Sequence, residues 1–585
     1  TPTAQVAGAN LTVTVRAVDD YFNLVTANNP TISFGVLNDT YSAVPGAIGM
    51  ANGTGQQTFN LKTATTVQIQ ALAGGFTTGV STVTTVGPAA YSQLHVTLPG
   101  ELYVPASPPY DGTGGRQNPA TAQQAGSSVT VTVRAVDLYY NTISTNPTVS
   151  VGFSSDSFAT AAAPAVLITG VKAFTNNIPY RANAFGTIIA SAPLAAAGNS
   201  SVLNVQAANF AKLQLLVPGE TPQPGKPPYD TLTTGGRTGA PSAQTAGLPF
   251  TATAYGVDAF WNQISTAVSN VTLTSDDTNA PGPFGGSPAL VAGSTTAVVT
   301  LQTGGSRKLI ATPTAAVASS TSTAFALNTG AANRLLVLVP GETQAPGRAP
   351  FTAGGAPGNS SGGKTAGSTQ NEQTAGVPFA VTVTATDGQW NTAAGETRNV
   401  TLTSNDPSAL VGGLGTQPLV LGTTVFNVTL YTAIASTGTL RNFTAVDAGA
   451  PGLANPSYLT PNLNLLPGAG QKLRLLAPGV TRLLGLASGK AGSPLTQTAG
   501  IQFQATVELT DTWGNGLNPG VPPTPTVSAD DAFAPALPRT ITFTANLSGQ
   551  TSSFFLTLVT RRNAEPGVSP SSTTVSATAG GWSAD

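Results

Sequence analysis

The stretch VTVTVRAVDLYYN (129–141) alternates apolar and polar residues, then breaks into Asp, Leu, two tyrosines and Asn. Alternation with period two is the mark of a half-buried strand. Asp and Asn bond readily to backbone groups a few residues away and so close turns. The same reading recurs along the chain as LTVTVRAVD, FTATAYGVD, FAVTVTATD and FQATVELTD. Each ends in an Asp with an Asn four residues on: Asp19/Asn23, Asp137/Asn141, Asp258/Asn262, Asp387/Asn391 and Asp511/Asn515.

Working outward, an Ala-Gly anchor precedes each strand, at Gly8, Gly126, Gly247, Gly376 and Gly500. The anchors are 118, 121, 129 and 124 residues apart. Four segments place a strand before Pro-Gly: LHVTLPGE (94–101), LQLLVPGE (213–220), LLVLVPGE (335–342) and LRLLAPGV (473–480). Each leads into a Gly/Pro-rich stretch, and three of these carry Pro followed by an aromatic: Pro109-Tyr110, Pro228-Tyr229 and Pro350-Phe351. After each Asp/Asn turn come a short strand and a polar turn, as in VTLTSDD (271–277) and VTLTSND (400–406). Later strands such as TAVVTLQT (296–303) and TVFNVTLYT (424–432) close the unit. A repeat of this length is one supersecondary or domain unit used many times. Many short alternating strands with no helical period predict an all-β chain of antiparallel β-sandwiches.

The alternating strand, the Asp-aromatic-Asn turn and the V-T-L-T-S-x-D strand together resemble bacterial immunoglobulin-like repeats of surface proteins, the kind that builds invasin- and intimin-type adhesin stalks. DTWGN (511–515) is most similar to the D-x-x-G-N turn of those repeats; the other copies put Phe22, Tyr140, Trp261 and Trp390 where the Gly stands. The resemblance implies tandem Ig-like sandwiches stacked as an elongated rod. The landmarks divide the chain into five units, 1–91, 92–211, 212–333, 334–471 and 472–585. The first lacks the Pro-Gly strand and so exposes an unpaired edge, which proteins normally avoid. That favours a segment of a longer tandem array, with a strand donated by another subunit as the alternative. The last is expected to close with TTVSATAG (573–580).

Composition narrows function mainly by exclusion. Only 47 of 585 residues are charged, 8%, with a net charge of −1, one His and no Cys; an ordinary soluble domain carries about 25% charged residues. Cys-ligated zinc and disulfide scaffolds are excluded. No basic field exists for nucleic acid, and no apolar run approaches the ~18 residues of a membrane span. The one histidine, His95, lies inside a strand and is expected to face solvent, so no Ser-His or Cys-His pair is expected. Glu101, Glu220 and Glu342 recur at one place in successive units, which marks them as structural.

The Asp/Asn turns are therefore read as structural, with calcium on oxygen ligands as the alternative. Tyr110, Tyr229 and Phe351 are candidate loop contacts, either pinning each loop to its own sandwich or bracing a junction. Trp261, Trp390 and Trp513 read as capped core, with a sugar-stacking face as the rival. Ten Asn-x-Ser/Thr sequons occur, among them Asn270, Asn399 and Asn427, about what composition alone yields; surface placement there would permit glycosylation. The expected role is a non-enzymatic extracellular stalk, fibre or sheath on a bacterial surface. Its partners would be copies of itself or the rest of a longer surface protein. The rivals are an adhesive, glycan-binding array and an accessory region of a secreted enzyme.

Overall fold

The computed structural model describes residues 2–183, 186–229, 234–351, 362–365, 370–433, 439–449, 452–454, 457–460, 462–546, 549–560 and 572–584. Among them every regular element is a strand, and no helix is long and apolar enough to cross a membrane. The stretch around 250–328 shows the plan. Lys212–Leu216, Phe250–Val257 and Ser294–Val299 form one antiparallel sheet. Val271–Ser275, Leu309–Pro313 and Ser320–Thr321 form the facing one. Gln244–Thr245 runs parallel to Phe325–Asn328. Alternation decides which side chains enter the core between them: Phe250, Ala252 and Ala254 are buried while Thr251 faces out. The same three-strand sheet recurs as Gln93–Thr97, Val129–Val136 and Val171–Asn177, then as Arg334–Leu338, Phe379–Thr386 and Thr423–Val428, and within 472–557. Among the described residues five separate apolar clusters result, with members such as Phe59, Val133, Leu273, Phe426 and Val507.

Two places depart from the repeated plan. Asn10–Arg16 pairs with Thr54–Asn60, and among the described residues no strand covers its other edge. Its inward residues Leu11, Val13 and Val15 stay half-buried, whereas Val129, Val131 and Val133 are fully enclosed. In the last unit Val575–Thr578 pairs antiparallel with Thr526–Ala529. That is the place Leu309–Pro313 holds against Val271–Ser275. Ser583 then runs parallel to Lys472, as Ala318 does to Lys212. A strand thus forms inside the expected 573–580, and it joins the facing sheet; a period-two pattern alone does not say which of two sheets a strand joins.

Candidate functional site

Among the described residues the five Asp/Asn turns carry dense networks of polar bonds. In each, the carboxylate folds the chain back on itself. The amides of Tyr139 and Asn141 donate to Asp137 Oδ1 at 2.9 and 2.8 Å, and the Asn141 amide group donates to Oδ2 at 2.9 Å. The residue before the Asn sits in the left-handed region: Phe22, Tyr140, Trp261 and Trp390 have φ of 66°, 62°, 71° and 66°, and Gly514 has 76°. Bulky side chains pay heavily for that conformation. At Tyr140, Trp261 and Trp390 the ring is held from outside. Tyr140 Oη and the indole N–H groups of Trp261 and Trp390 donate to the carbonyls of Pro109, Pro228 and Pro350 at 2.9, 3.0 and 2.9 Å. Glycines lie flat on each ring, so close that a Cβ on Gly115, Gly236 or Gly363 would come within 2.6, 2.3 or 2.6 Å of it. The Lys212 ammonium lies 3.3 Å from the Trp261 ring centre, and the Arg334 guanidinium 4.5 Å from that of Trp390, an attraction to the ring face.

What the turn does becomes visible from its remaining bonds, which leave the unit. Asn141 donates to Lys62 O and accepts from the Ala64 amide, both at 2.8 Å, while Ala89 N–H donates to Asp137 Oδ2 at 2.8 Å. Asn262 pinches Tyr180 O and Ala182 N–H at 2.9 and 2.7 Å, and Asp258 accepts from Ala208. Asn391 takes Gln302 O and Gly304 N–H, with Gly330 on Asp387. Asn515 takes Tyr431 O and Ala433 N–H, with Gly468 on Asp511. Each side-chain amide thus clamps a main-chain corner some 80 residues earlier, in the preceding sandwich. N–H donors surround both carboxylate oxygens, and a cation would have to displace them. Among the described residues no group of three or more His, Cys, Asp or Glu gathers to hold a metal.

The clamped corner has its own organiser. Asp39, Asp156, Asp277, Asp406 and Asp531 each accept two successive amides of that corner: Lys62 and Thr63, Tyr180 and Arg181, Gln302 and Thr303, Tyr431 and Thr432, Val559 and Thr560. Hydrogen bonding to the charged form holds a carboxyl down: Thr560 draws Asp531 to about 2. The anchor glycines complete the corner. The amides of Gly8, Gly126, Gly247, Gly376 and Gly500 donate to the carbonyls of Leu61, Pro179, Leu301, Leu430 and Leu558. All five anchors have φ near 80°. A Cβ on the first four would strike Tyr139, Phe260, Gln389 and Trp513 of the following turn at 2.0–2.4 Å. Tyr139, Phe260 and Trp513 pack on the preceding unit's apolar cluster.

The Pro-aromatic loops touch both sides. Tyr110 Oη donates to Ala106 O and Tyr229 Oη to Gly225 O, within their own loops. Lys62 of the preceding unit sits 4.6 Å over the Tyr110 ring, and Tyr180 stacks 4.9 Å from Tyr229. Phe351 is half-buried against its own cluster, and its carbonyl accepts from Arg334 at 2.9 Å. Residues 230–233 and 352–355 of these loops lie outside the described residues. The fifth unit has no such aromatic. Arg474 fills the room above Gly514, donating to Gly489 O and Gly514 O and pairing with Glu508.

The remaining candidates separate cleanly. Asn270, Asn399 and Asn427 are exposed. Trp261 and Trp390 are enclosed, and Trp513 is half-buried against Tyr431. Glu101, Glu220 and Glu342 accept the amides of Leu98, Val217 and Val339 and so close the Pro-Gly turn; Glu220 pairs with Arg237 and Glu342 with Lys364, both buried. His95 does not face solvent. It is 1% exposed, 5.4 Å from both Tyr103 and Tyr140, with Nε2 against Gly114 O. The loop folds back over this strand and covers the face that alternation assigns to water. Burial and the Arg116 charge hold the imidazole at about 3, so it stays neutral.

No sequence-family profile and no curated protein matches the chain. Among solved structures, similar ones include the Escherichia coli adhesin FdeC (16% identity over 56% of this chain and 95% of that one, TM-score 0.21) and invasin, a bacterial integrin-binding protein (13%, 82% and 80%, TM-score 0.22). Activated alpha-2-macroglobulin of Escherichia coli is also similar (11%, 83% and 46%, TM-score 0.21); the chain spans less than half of its length. At such identities and scores the likeness carries no role or family over to this chain.

Proposed function

We propose that this chain is a non-enzymatic structural or adhesive element of a bacterial surface, a tandem array of the bacterial Ig-like kind serving as stalk, fibre or sheath. The observation that carries this reading is where the buried polar chemistry is placed. Asp137–Asn141 and its three later counterparts bond groups of two consecutive sandwiches at once. Buried charge-assisted bonds that span a junction fix the setting of one domain on the next. A ligand site would instead gather polar groups into an open cleft. Neighbouring copies, or the rest of a longer surface protein, are the partners this reading calls for, with glycans as further candidates. Small-angle scattering tests it: an elongated particle with a well-defined cross-section is expected. A compact particle, or one whose dimensions show freely jointed domains, would sink the proposal.

A further inference from the structure

In three units the Gly-rich loop places a cation directly after Gly-Gly: Arg116, Arg237 and Lys364. In the third and fourth units that cation meets the glutamate that closes the Pro-Gly turn. Arg237 Nη1 lies 3.2 Å from both oxygens of Glu220, and the Thr323 hydroxyl donates to Glu220 Oε1 at 2.6 Å. Arginine keeps its charge, so this contact is an ion pair and stays one. The fourth unit uses different groups. Lys364 Nζ donates to Glu342 Oε2 at 2.6 Å, and Gln370 Nε2 donates to Glu342 Oε1 at 2.7 Å. The Lys364 and Glu342 side chains are 4% and 2% exposed. One buried carboxylate therefore joins an amine to a carboxamide. Burial draws the Lys364 ammonium below its ordinary 10.5, against the charge and hydrogen bond of Glu342. A buried lysine can surrender its proton where an arginine cannot.

We propose that these three side chains make a covalent cross-link, an amide between Lys364 Nζ and Gln370 Cδ, with Glu342 as the proton carrier. Glu342 takes a proton from the ammonium, and the neutral amine then attacks the carboxamide carbon, as a deprotonated lysine attacks a carbonyl. Of the three ammonium protons, one stays on the new amide. The other two pass through Glu342 to Gln370 Nε2, which leaves as ammonium, and Glu342 ends as the carboxylate it was. No oxidant, reductant or cofactor enters, and the step runs once per chain. The link fixes Lys364 beside Gly362 and Gly363, the glycines that lie against the Trp390 ring. It makes the cover over the fourth turn covalent in a chain that has no Cys for a disulfide.

Mass spectrometry of the purified whole chain tests it. The intact mass is expected one ammonia below that of the sequence. Trypsin should fail to cleave after Lys364 and should release 349–398 as one peptide, lighter by the same ammonia. That peptide should give no backbone fragments from between Lys364 and Gln370, because the link holds both ends together. Lys364→Arg rebuilds the ion pair of the third unit and should fold with the full mass, as should Gln370→Ala. Glu342→Gln keeps both reacting groups but removes the carrier, and it too should show the full mass; circular dichroism checks that each variant keeps its strands. A parent chain of full mass overturns the proposal, as does an ammonia loss that maps elsewhere or that any of the three variants retains. Loss of one water instead would join Lys364 to Glu342 itself, which also overturns it.

Discussion

The turn at Asp19–Asn23 and the turn at Asp258–Asn262 have the same internal hydrogen bonds, yet one is open to water and the other is sealed. Five residues suffice to make the turn; only a neighbour makes it a joint. The same carboxylate and amide that merely close a loop in the first unit hold Ala208, Tyr180 and Ala182 in the third. The motif is therefore a self-contained fold element with unused bonding capacity, and the preceding sandwich takes that capacity up.

The ring next to the Asn should show the largest contrast. Trp261→Ala empties a site sealed by Gly235, Gly236 and Lys212 and should cost about 3–5 kcal/mol, seen as an early melt of one unit. Phe22→Ala should leave the melt unchanged, because its ring packs on nothing comparable. Equal effects would mean that the exposed copy is covered in solution. Next comes the carboxylate. Asp258→Ala orphans the amides of Phe260, Asn262 and Ala208 and should cost about 3 kcal/mol, since buried donors left unmade carry the full desolvation penalty. Asp19→Ala, at a site open to water, should fall within the error of the same measurement. A smaller gap separates the anchors. Gly376→Ala drives a Cβ to 2.2 Å from the Trp513 indole at φ +79°, so it should loosen the junction and cost about 2 kcal/mol. Gly500→Ala meets only the backbone cost of about 1 kcal/mol. If both cost the same, the tight fit across the junction is not what demands glycine.

The halves of this joint were unequally legible in the sequence. The turn is encoded within five residues, because Asp and Asn bond their own backbone, and alternation announces the strand before it. The other half is Lys62 O, Ala64 N–H and their counterparts. These are main-chain groups some 80 residues away, and main-chain groups have no sequence identity to recognise. Their organiser did leave a signal. Asp39, Asp156, Asp277, Asp406 and Asp531 recur once per unit, at the end of a strand, yet read alone each is only a polar turn. Left-handed aromatics at 22, 140, 261 and 390 were visible as departures from Gly. What holds Tyr140, Trp261 and Trp390 there is the Pro-rich loop folded over each ring, whereas Phe22 takes the same backbone with its ring exposed. His95 fails for the same reason: the covering loop is tertiary, and alternation along one strand carries no trace of it.

The smallest effect is the most direct reading of cover itself. Asn23, through its side chain and its amide, holds the Asp19 carboxyl below the ordinary 3.8. At Asp511 burial wins instead and lifts the carboxyl above 3.8, against the bonds from Asn515, Gly468 and Trp513. With its folded value raised, Asp511 favours the fold in its protonated form below the unfolded value, and that contribution fades as pH rises through the folded one. Neutral pH therefore weighs slightly against this joint, and mild acidification toward 4 should firm it. Carbon NMR titration of the aspartate carboxyls should place Asp19 below 3.8 and Asp511 above it. In Gly376→Ala, which lifts the Trp513 ring from its seat, the Asp511 midpoint should fall toward that of Asp19. If the two carboxyls titrate together in the parent chain, the fifth turn is as wet as the first, and the clamp does not close in solution.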